Sequence, residues 1–556
     1  MAQIIVVGSG PGGCAAALEL ARKGLSVLML EAGEDHDSDP VIESPEYAAE
    51  LEEKHFNKYF WSIPQTAQHH ALRGNYTNGR LLGGGSSVDS TQCCKGSRAV
   101  FNEWELLTKD PAWGPDPVDA AFLELQQWVQ VRKPDRHLAV AEKCVKALEQ
   151  VMPDFPRIED YNAEDFGPFT NWQYWQQADG SRESASTSLI KRHLLRFEHF
   201  QLVQKATVVE LLFCEGAASG VRYLVGPNVL EARASSAVVL AAGIHTPLLL
   251  ERAGIGDGPT LQRVGIPVRV HSPANGTRLV NHLSVTVTFS RNSQDAADPD
   301  PSNLYAFGAF YPAGLYYSGK RKSEWIGVDA GDRLRVTVLL TDPHSVGTVH
   351  VQSDDTNTLP LACGNALGDA RDVDEFKAIV KDKLFRFAAK LSKIDPAYQL
   401  MLPKAPHASQ ASQEGSQEAS HASQEGSQEA SQASQEDPHE GSPIDAEGSH
   451  EDPHRNPNRT PNRNPRIDDE KDESLEHYIR SHVRYVHRWQ SQCPMGLSVL
   501  DSVVDSDCKV FGVDRLYVSD NCIIPSTVDG NTTASAFIIG KIVGAKLAAK
   551  LVCGAQ

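Results

Sequence analysis

Three glycines near the amino terminus have the spacing of a phosphate-binding loop. Gly8, Gly10 and Gly13 form the pattern G-x-G-x-x-G directly after an apolar run and at the start of a helical pattern. In such a loop the first glycine permits a tight turn, the second lets a pyrophosphate approach the backbone, and the third lets the helix pack against the strand. The pyrophosphate would lie at the helix N-terminus, where free N–H groups and the helix dipole favour an anion.

An acidic residue follows at the distance that this type of site requires. Glu31 comes directly after the second apolar run, where its carboxylate would bond a ribose hydroxyl. The glycine loop, the two runs and the terminal acid together predict a dinucleotide site. They do not distinguish NAD from FAD, because an acid at this position occurs with both cofactors.

The elements that must position this site are strands and one helix. A helical pattern over residues 13–23 separates two strand-like apolar runs, and that strand–helix–strand order favours a parallel sheet and an α/β fold. The strand-like runs lie at residues 4–7, 25–30, 200–209, 237–241 and 516–518.

One segment has a different composition from the rest of the chain. Residues 405–466 contain almost no large apolar side chains, and Ala411–His421 is repeated nearly letter for letter at Ala422–Gln432. Such a segment cannot bury enough apolar surface to offset the entropy of ordering, so we expect a disordered insertion. A tolerated loop insertion is favoured over a partner-binding tail, since lengthening a loop costs little.

Charge and hydropathy exclude some classes of partner. The formal net charge of −19 argues against nucleic acid, because phosphate backbones are bound by basic surfaces. Apolar runs such as Val238–Leu250 are too short to span a bilayer, and this one contains His245 and Pro247. Because no signal peptide precedes the first apolar run, we expect a cytoplasmic protein.

The ten cysteines do not form a recognisable disulfide or metal pattern. Cys14, Cys144, Cys214 and Cys522 lie inside apolar patterns, where cysteine behaves as a small hydrophobic residue. No spacing matches a zinc or redox motif, so we predict free thiols, a reducing compartment and no metal site.

Three further segments resemble one family of flavoenzymes. They are GRLLGGGSSVDSTQCCKGSRAVFNEW at 79–104, AAGIHTPLLLERAGIG at 241–256 and LYVSDNCIIPSTVDGNTTASAFIIGKIVGA at 516–545. With the amino-terminal loop, they are similar in order and spacing to the glucose–methanol–choline (GMC) oxidoreductases. The resemblance covers the whole chain except the insertion.

The resemblance implies an α/β fold in two parts. A Rossmann-type FAD-binding domain would comprise residues 1–105, 190–270 and 500–556. A second, sheet-based substrate domain would comprise residues 106–189, 271–404 and 467–499. Residues 405–466 would belong to neither.

The resemblance also implies FAD as cofactor and names its contacts. Consecutive small residues at 83–87 would let the backbone lie close to the flavin and supply hydroxyl donors, although a tight turn alone is the alternative. Asn531 and Thr532 would begin the last helix beneath the flavin, with the positive end of its dipole toward the ring. The implied cofactor contacts outside the amino-terminal loop are Gly84, Ser87, Asp89, Val208, Asp520 and Thr532.

Two positions depart from the family pattern beside the flavin. Some members attach FAD through a histidine, and Val88 stands at that position, so we expect noncovalent FAD. Asp89 replaces a usual asparagine. It would put a carboxylate near an electron-rich flavin, unless it is protonated or turned away, and could make the flavin harder to reduce.

The segment that would carry the catalytic base also departs from the family. Alcohol oxidation needs a base for the hydroxyl proton while the carbon hydride goes to flavin N5. Aligned on Cys493 and Met495, the position of the family's basic histidine is Arg488, and His487 lies one residue upstream. A one-residue bulge would return His487 to the flavin face; without a bulge the base is lost. Asn531 would hydrogen-bond the substrate oxygen, and His282 is expected to be structural.

The function implied is FAD-dependent oxidation of an alcohol to a carbonyl, with oxygen or another electron acceptor. Two alternatives stay open: an FAD-binding scaffold with impaired catalysis, such as a virion component, and an FAD-containing hydroxynitrile-type lyase. The substrate and the oligomeric state do not follow from the sequence, since a fold analogy cannot name a ligand.

Overall fold

The computed structural model describes residues 2–48, 51, 54–63, 76–134, 138–291, 305–312, 320–321, 323–329, 333–355, 358–401 and 472–553. The predicted disordered insertion at 405–466 lies outside the described residues.

The described residues form strands, helices and short turns of helix. The strands are β1 Ala2–Val7, β2 Val27–Leu30, β3 Phe60–Ile63, β4 Tyr76–Gly79, β5 Gly167–Phe169, β6 Phe200–Val203, β7 Ala206–Cys214, β8 Ala217–Val225, β9 Asn228–Leu240, β10 Ile255–Gly256, β11 Val270–His271, β12 Leu283–Arg291, β13 Phe307–Tyr311, β14 Ser323–Asp329, β15 Arg333–Leu340, β16 Thr348–His350, β17 Leu361–Cys363, β18 Tyr398–Met401, β19 Arg484–Tyr485 and β20 Leu516–Val518. The α-helices are α1 Pro11–Arg22, α2 Pro40–Glu43, α3 Phe56–Tyr59, α4 Arg98–Thr108, α5 Pro115–Leu125, α6 Ala139–Val151, α7 Thr246–Arg252, α8 Gly258–Arg263, α9 Ala370–Ala378, α10 Phe385–Ile394, α11 Asp472–His482 and α12 Thr532–Cys553. Single 3₁₀ turns lie at Pro45–Tyr47, Gly84–Ser87, Pro111–Trp113, Leu194–Arg196, Gly243–His245 and Asn521–Ile523, and π turns at Ser186–Lys191 and Ile379–Leu384.

The first sheet is built around β1 and carries the glycine loop. Its strand order is β6-β2-β1-β9-β8-β7, with β20 also paired to β9. Strands β6, β2, β1, β9 and β20 pair in parallel, whereas β7, β8 and β9 form an antiparallel meander. The centre of β1 is apolar and buried, as expected for a strand covered on both faces. This is the α/β, Rossmann-type sheet that the sequence predicted.

Helices α1 and α12 cover one face of this sheet and pack closely together. A Cβ on Gly540 would lie 2.2 Å from the carbonyl oxygen of Gly12, so neither helix could approach the other this closely with a larger residue at 540. None of the described helices is long and apolar enough to cross a membrane. All ten cysteines lie in the described part of the chain and are free thiols.

The run at 200–209, predicted as one strand, is two. Strand β6 ends at Val203 and β7 begins at Ala206, and between them Lys205 has a φ of +55°. The Lys205 N–H donates to the carbonyl of Gly33, which places the turn beside the end of β2. The apolar pattern did not reveal the break, because both strands are apolar and only two residues separate them.

The second sheet is antiparallel, with the order β18-β12-β15-β14-β13-β5 and β19 paired to β12. Helices α6, α9, α10 and α11 supply the apolar side chains that cover one of its faces. Alternate residues of β15 are buried, as in a strand with one face against helices.

Strand β14 contributes side chains both to the hydrophobic core and to the cavity side of the second sheet. Trp325 packs in the core beneath the helices. Its neighbours Glu324 and Ile326 point to the opposite face, because successive side chains alternate along a strand. Ile326 borders the cavity described below, and Glu324 is fully buried beside it.

Some residues pack in the core of one sheet although the boundaries expected from the sequence place them in the domain of the other. Every strand of the first sheet falls within 1–105, 190–270 and 500–556, and every strand of the second within the other stretches. However, side chains between Trp113 and Val129 belong to the hydrophobic core of the first sheet, as do Cys493 and Met495. Segments that contribute no strand to the first sheet therefore still contribute side chains to its hydrophobic core.

Candidate active site

A cavity of about 640 Å³ lies at the carboxyl ends of β1, β2 and β9. Its volume is within the range of about 300–1,000 Å³ that is usual for ligand pockets. The glycine loop, the start of α12, the segment 486–489 and Ile326 of the second sheet all line it. In open α/β sheets, ligands bind at this edge, where the connections from neighbouring strands diverge.

The fold requires glycine at two positions of the glycine loop, whereas the third position borders open space. Gly8 has a φ of +102°, and a Cβ there would lie 2.3 Å from the Ala241 carbonyl oxygen. A Cβ on Gly13 would lie 2.3 Å from the Gly8 carbonyl oxygen, so helix–strand packing requires glycine there. Gly10 has a φ of −65°, and a Cβ there would meet no atom of the described residues within 4 Å. Gly10 therefore borders open space at the N-terminus of α1, where a phosphate would fit.

Glu31 joins the end of β2 to this loop. Its Oε2 accepts hydrogen bonds from the N–H of Ser9 at 2.9 Å and from the Ser9 hydroxyl at 2.6 Å, and its Oε1 accepts from the Gly33 N–H at 2.8 Å. Burial raises the pKa of Glu31, and these hydrogen bonds oppose the increase. The side chain lines the cavity at the position expected for a ribose contact.

One end of the cavity contains polar atoms without partners. Val208 lines this end, and the pairing of β7 with β8 shifts just after it, so the ladder is locally disrupted. The Nε2 of His245 and the Nε of Arg252 are buried without a hydrogen bond to any described residue. Burial lowers the pKa of His245 to about 4, so the imidazole is neutral. Buried polar atoms without partners cost about 1–3 kcal/mol each, so this end is suited to a polar ligand.

The start of α12 forms another wall. The Asn531 Oδ1 accepts from the Thr533 N–H at 2.9 Å and caps the helix, which leaves the Nδ2 of Asn531 as the donor of that side chain. Thr532 is the first helical residue, so the positive end of the helix dipole faces the cavity. Nearby, the Oδ2 of Asp520 accepts from the Gly243 N–H at 2.8 Å and from the Thr246 hydroxyl at 2.7 Å.

The second glycine-rich run lies against the first. Gly84 has a φ of +55°, and a Cβ there would be 3.0 Å from the Cα of Gly10. Gly84, Gly85 and Ser86 line the cavity, but Ser87 does not. The Ser87 hydroxyl instead donates to the Leu82 carbonyl at 2.7 Å, so it stabilises the turn rather than facing a ligand.

Asp89 lines the cavity and is paired with a cation. Its Oδ1 lies 3.2 Å from the Nη1 of Arg182, and its Oδ2 accepts from the Thr533 hydroxyl at 2.6 Å. Burial raises the pKa of Asp89, while Arg182 and the Thr533 hydroxyl oppose the increase. The sequence offered protonation or rotation as ways to accommodate this carboxylate; the structure adds a third, a buried guanidinium beside it.

The backbone turns sharply at His487. This residue has a φ of +56°, a left-handed conformation that is uncommon for a residue with a Cβ. Its side chain is exposed and lines the cavity, and its Nδ1 lies 3.0 Å from the hydroxyl of Thr77 on β4. The indole N–H of Trp489 donates to the Thr77 carbonyl at 3.2 Å, so two contacts tie this segment to β4.

Arg488 is held in the protein interior. Only 5% of its surface is exposed, and its Nη1 lies 2.5 Å from Oε2 of the fully buried Glu324. Thus adjacent residues have opposite environments: His487 is exposed at the cavity, whereas the guanidinium of Arg488 forms a buried ion pair.

The structure brings most of the predicted site residues to the same cavity. Those that line it are Gly8, Gly10, Glu31, Gly84, Asp89, Val208, His487, Asp520, Asn531 and Thr532. Gly13 and Ser87 lie behind the wall. His282 does not line the cavity; it is buried in the network around Arg488.

Sequence reasoning missed three partners of these residues. Arg182 lies in a segment that resembles the family, DGSRESASTSLI, but its contact with Asp89 crosses 93 positions. Thr77 and Glu324 carried no signal, because neither belongs to a motif and each meets its partner only through the folded sheets.

Two family models, both described as GMC oxidoreductase, match this chain at residues 4–284 and 343–540. The chain belongs to the GMC oxidoreductase family. It is an FAD-dependent oxidoreductase that acts on CH–OH groups.

Known members are similar along most of this GMC oxidoreductase. A 5-(hydroxymethyl)furfural oxidase of Methylovorus sp. (strain MP688) is 28% identical over 72% of this chain and 81% of its own. An oxygen-dependent choline dehydrogenase of Rhizobium rhizogenes (strain K84) is 26% identical over 97% of this chain and 94% of its own. Pyridoxine 4-oxidase from Mesorbium loti has the same fold, with a TM-score of 0.76 at 18% identity over 98% of both chains.

The cavity fits the cofactor of the family. The space beside Gly10 at the α1 N-terminus suits the phosphates of the dinucleotide part. The His245 and Arg252 nitrogens, which have no hydrogen-bond partner among the described residues, suit its other polar groups. The N-terminus of α12 suits the flavin part, whose reduced form is negatively charged.

Proposed function

We propose that this GMC oxidoreductase oxidises an alcohol to a carbonyl compound, with His487 as the base that accepts the hydroxyl proton. The observation that carries the proposal is the turn at His487. The left-handed backbone conformation of His487 directs its imidazole to the cavity. In the alignment with the family motif, by contrast, Arg488 occupies the position of the base.

The hydrogen bond to Thr77 supports a catalytic role for His487. A base must be held in one orientation, and a bond to one ring nitrogen fixes the orientation of an imidazole. The 3.0 Å contact between Nδ1 and the Thr77 hydroxyl fixes the orientation of the His487 ring in this way. Thr77 lies on strand β4 rather than in a loop.

Asn531 complements His487 in the proposal. Because its Oδ1 caps α12, the amide is held with one orientation, and its Nδ2 can donate to the oxygen of the substrate. The dipole of α12 favours negative charge at the same wall. When bound, the flavin supplies a two-electron acceptor for hydride from the substrate carbon.

The proposal includes noncovalent FAD and an electron acceptor that is oxygen or another small oxidant. Val88 lines the cavity and offers no nucleophilic atom for a flavin bond. The related formate oxidase of Aspergillus oryzae RIB40, with a TM-score of 0.77 at 18% identity over 99% of this chain and 98% of its own, was solved to study FAD modification.

An anaerobic screen tests the proposal. The purified protein would be mixed with primary and secondary alcohols, including furan methanols and choline, while flavin absorbance near 450 nm is followed. Bleaching by at least one alcohol is expected, with His487→Gln slowed and its FAD content unchanged. If dithionite bleaches the flavin and no alcohol does, the protein is an FAD-binding scaffold instead.

A further inference from the structure

Arg488 makes an unusually complete set of contacts for a residue beside a cavity. Its Nη1 lies 2.5 Å from Oε2 of Glu324 and 3.2 Å from Nδ1 of His282. Its Nη2 donates to Oε1 of Gln92 at 2.7 Å and to Oε1 of Glu324 at 3.3 Å. The four N–H groups of the two Nη atoms therefore have four acceptors, all supplied by the protein.

His282 is fixed as an acceptor in this network. Its Nε2 lies 2.8 Å from the Val528 carbonyl oxygen, which can only accept, so the ring proton is on Nε2 and Nδ1 accepts from Arg488. Burial and, to a smaller extent, the Arg488 charge together lower the pKa of His282 to about 3. The ring therefore stays neutral at the pH where the enzyme would work.

The main chain after His487 is anchored as firmly as the side chain of Arg488. The Arg488 N–H donates to Oδ1 of Asn281 at 2.9 Å, and Gln490 exchanges two backbone hydrogen bonds of 3.1 Å with Val280. The left-handed conformation of His487 costs about 1–2 kcal/mol for a residue with a Cβ, so it persists only where neighbouring contacts hold it.

We propose that the buried ion pair of Glu324 and Arg488 positions His487 for proton transfer. This inference rests on the proposed function: although Arg488 borders the cavity, its Nη atoms are bonded to protein acceptors, so its role is to hold the main chain. It locks residues 488–490 into the core, and this forces the backbone to turn at His487 and present the imidazole to the cavity. Glu324 and Arg488 are thus positioning residues, and Glu324, on the second sheet, couples that sheet to the base.

The test removes both charges at once. In Arg488→Met with Glu324→Leu, no buried charge is left without a partner, and such replacements are often neutral for stability. We expect the rate constant of flavin reduction at saturating alcohol to fall about 10- to 100-fold, the usual effect of a small misplacement of a catalytic group. FAD content should remain stoichiometric, and the apparent Kd for the alcohol should change less than the rate constant.

A single substitution covers the case in which the double variant does not fold. Arg488→Lys keeps the charge, but its single ammonium has three donors in place of a planar fork, so it cannot satisfy all four acceptor atoms of Glu324, Gln92 and His282. It should slow flavin reduction in the same way. Wild-type kinetics in Arg488→Lys would overturn the anchoring argument.

A second readout does not depend on activity. Histidine resonances of protein labelled with ¹³C-histidine would be recorded, and that of His487 assigned from its loss in His487→Gln. In the double variant this resonance should move toward the position of a histidine without a hydrogen bond to Nδ1, because the turn that brings the ring to the Thr77 hydroxyl would no longer be held. An unchanged resonance and unchanged rate would overturn the proposal.

A matched control removes a buried ion pair elsewhere. Lys541 and Glu19 lie 2.7 Å apart between α12 and α1, away from the cavity wall. Lys541→Met with Glu19→Leu should leave the His487 resonance and the reduction rate unchanged. If no alcohol reduces even the wild type, the proposed function fails, and the His487 resonance still decides whether the ion pair positions that residue.

Discussion

Gly10→Val should separate cofactor binding from folding. The φ of −65° and ψ of 174° at Gly10 are extended values that valine adopts without strain, and in the part of the chain that the structure describes no atom lies within 4 Å of a Cβ there. The glycine is therefore not required by the backbone, in contrast to what a tight-turn argument would suggest. The apoprotein should lose no more than about 1 kcal/mol of stability, the scale of a helix-cap change.

The effect on FAD should be much larger. The three carbons of the valine side chain would occupy the space against the α1 N-terminus that a phosphate needs. Forcing a ligand and a side chain into the same space costs about 1–3 kcal/mol, and withdrawal of the anion from the helix end costs about 1 kcal/mol more. The sum corresponds to an FAD affinity ~30- to ~1,000-fold weaker.

Titration of the apoprotein with FAD, followed by quenching of flavin fluorescence, measures this effect. Gly10→Ala should give a smaller loss, and Gly8→Val should instead prevent folding, because a Cβ at Gly8 lies 2.3 Å from the Ala241 oxygen. Thermal midpoints of the apoproteins would report the difference. A folded Gly10→Val variant that binds FAD with the wild-type Kd would refute the placement of the phosphate site.

Four further outcomes are expected. Acid precipitation should release FAD into the supernatant, since Val88 offers no atom for a covalent bond; yellow colour in the washed pellet would contradict this. His487→Ala should slow flavin reduction by about 10²–10⁴-fold and remove a limb of the pH profile, as expected for loss of a general base. Deletion of residues 408–464 should leave FAD content and thermal midpoint nearly unchanged, because a segment with almost no large apolar side chains can bury little apolar surface. The folded protein lowers the pKa of His282 from its ordinary value of 6.5 to about 3; stability should therefore fall as pH decreases below 6.5, and the thermal midpoint of His282→Gln should depend less on pH over the same range.

Local patterns in the sequence predicted the first sheet well. The glycine spacing, the apolar run before it and the acid at Glu31 are all consequences of one strand–helix–strand unit, so they are visible within about 30 residues. The family resemblance extended that prediction to Asp520, Asn531 and Thr532, which meet the loop only because β20 pairs beside β9.

The sequence could not reveal contacts that depend on the meeting of the two sheets. Glu324 is an unremarkable acid in a strand pattern, and its ion pair with Arg488 spans 164 positions. The bond from the Ser87 hydroxyl to the Leu82 carbonyl was not visible in the sequence either, because a small hydroxyl residue in a glycine run can face a ligand or bond its own turn.

Because side chains alternate along β14, the proposed catalytic site depends on the correct register of this strand. Trp325 faces the helices, while Glu324 and Ile326 face the cavity side, so a shift of the strand by a single residue would exchange these environments. Such a shift would put a carboxylate among apolar helices and an indole where Arg488 needs its partner. A second sheet with β14 in the wrong register would therefore be unable to position the proposed base, and a one-residue insertion or deletion within β14 should impair the enzyme even when it spares every residue of the cavity wall.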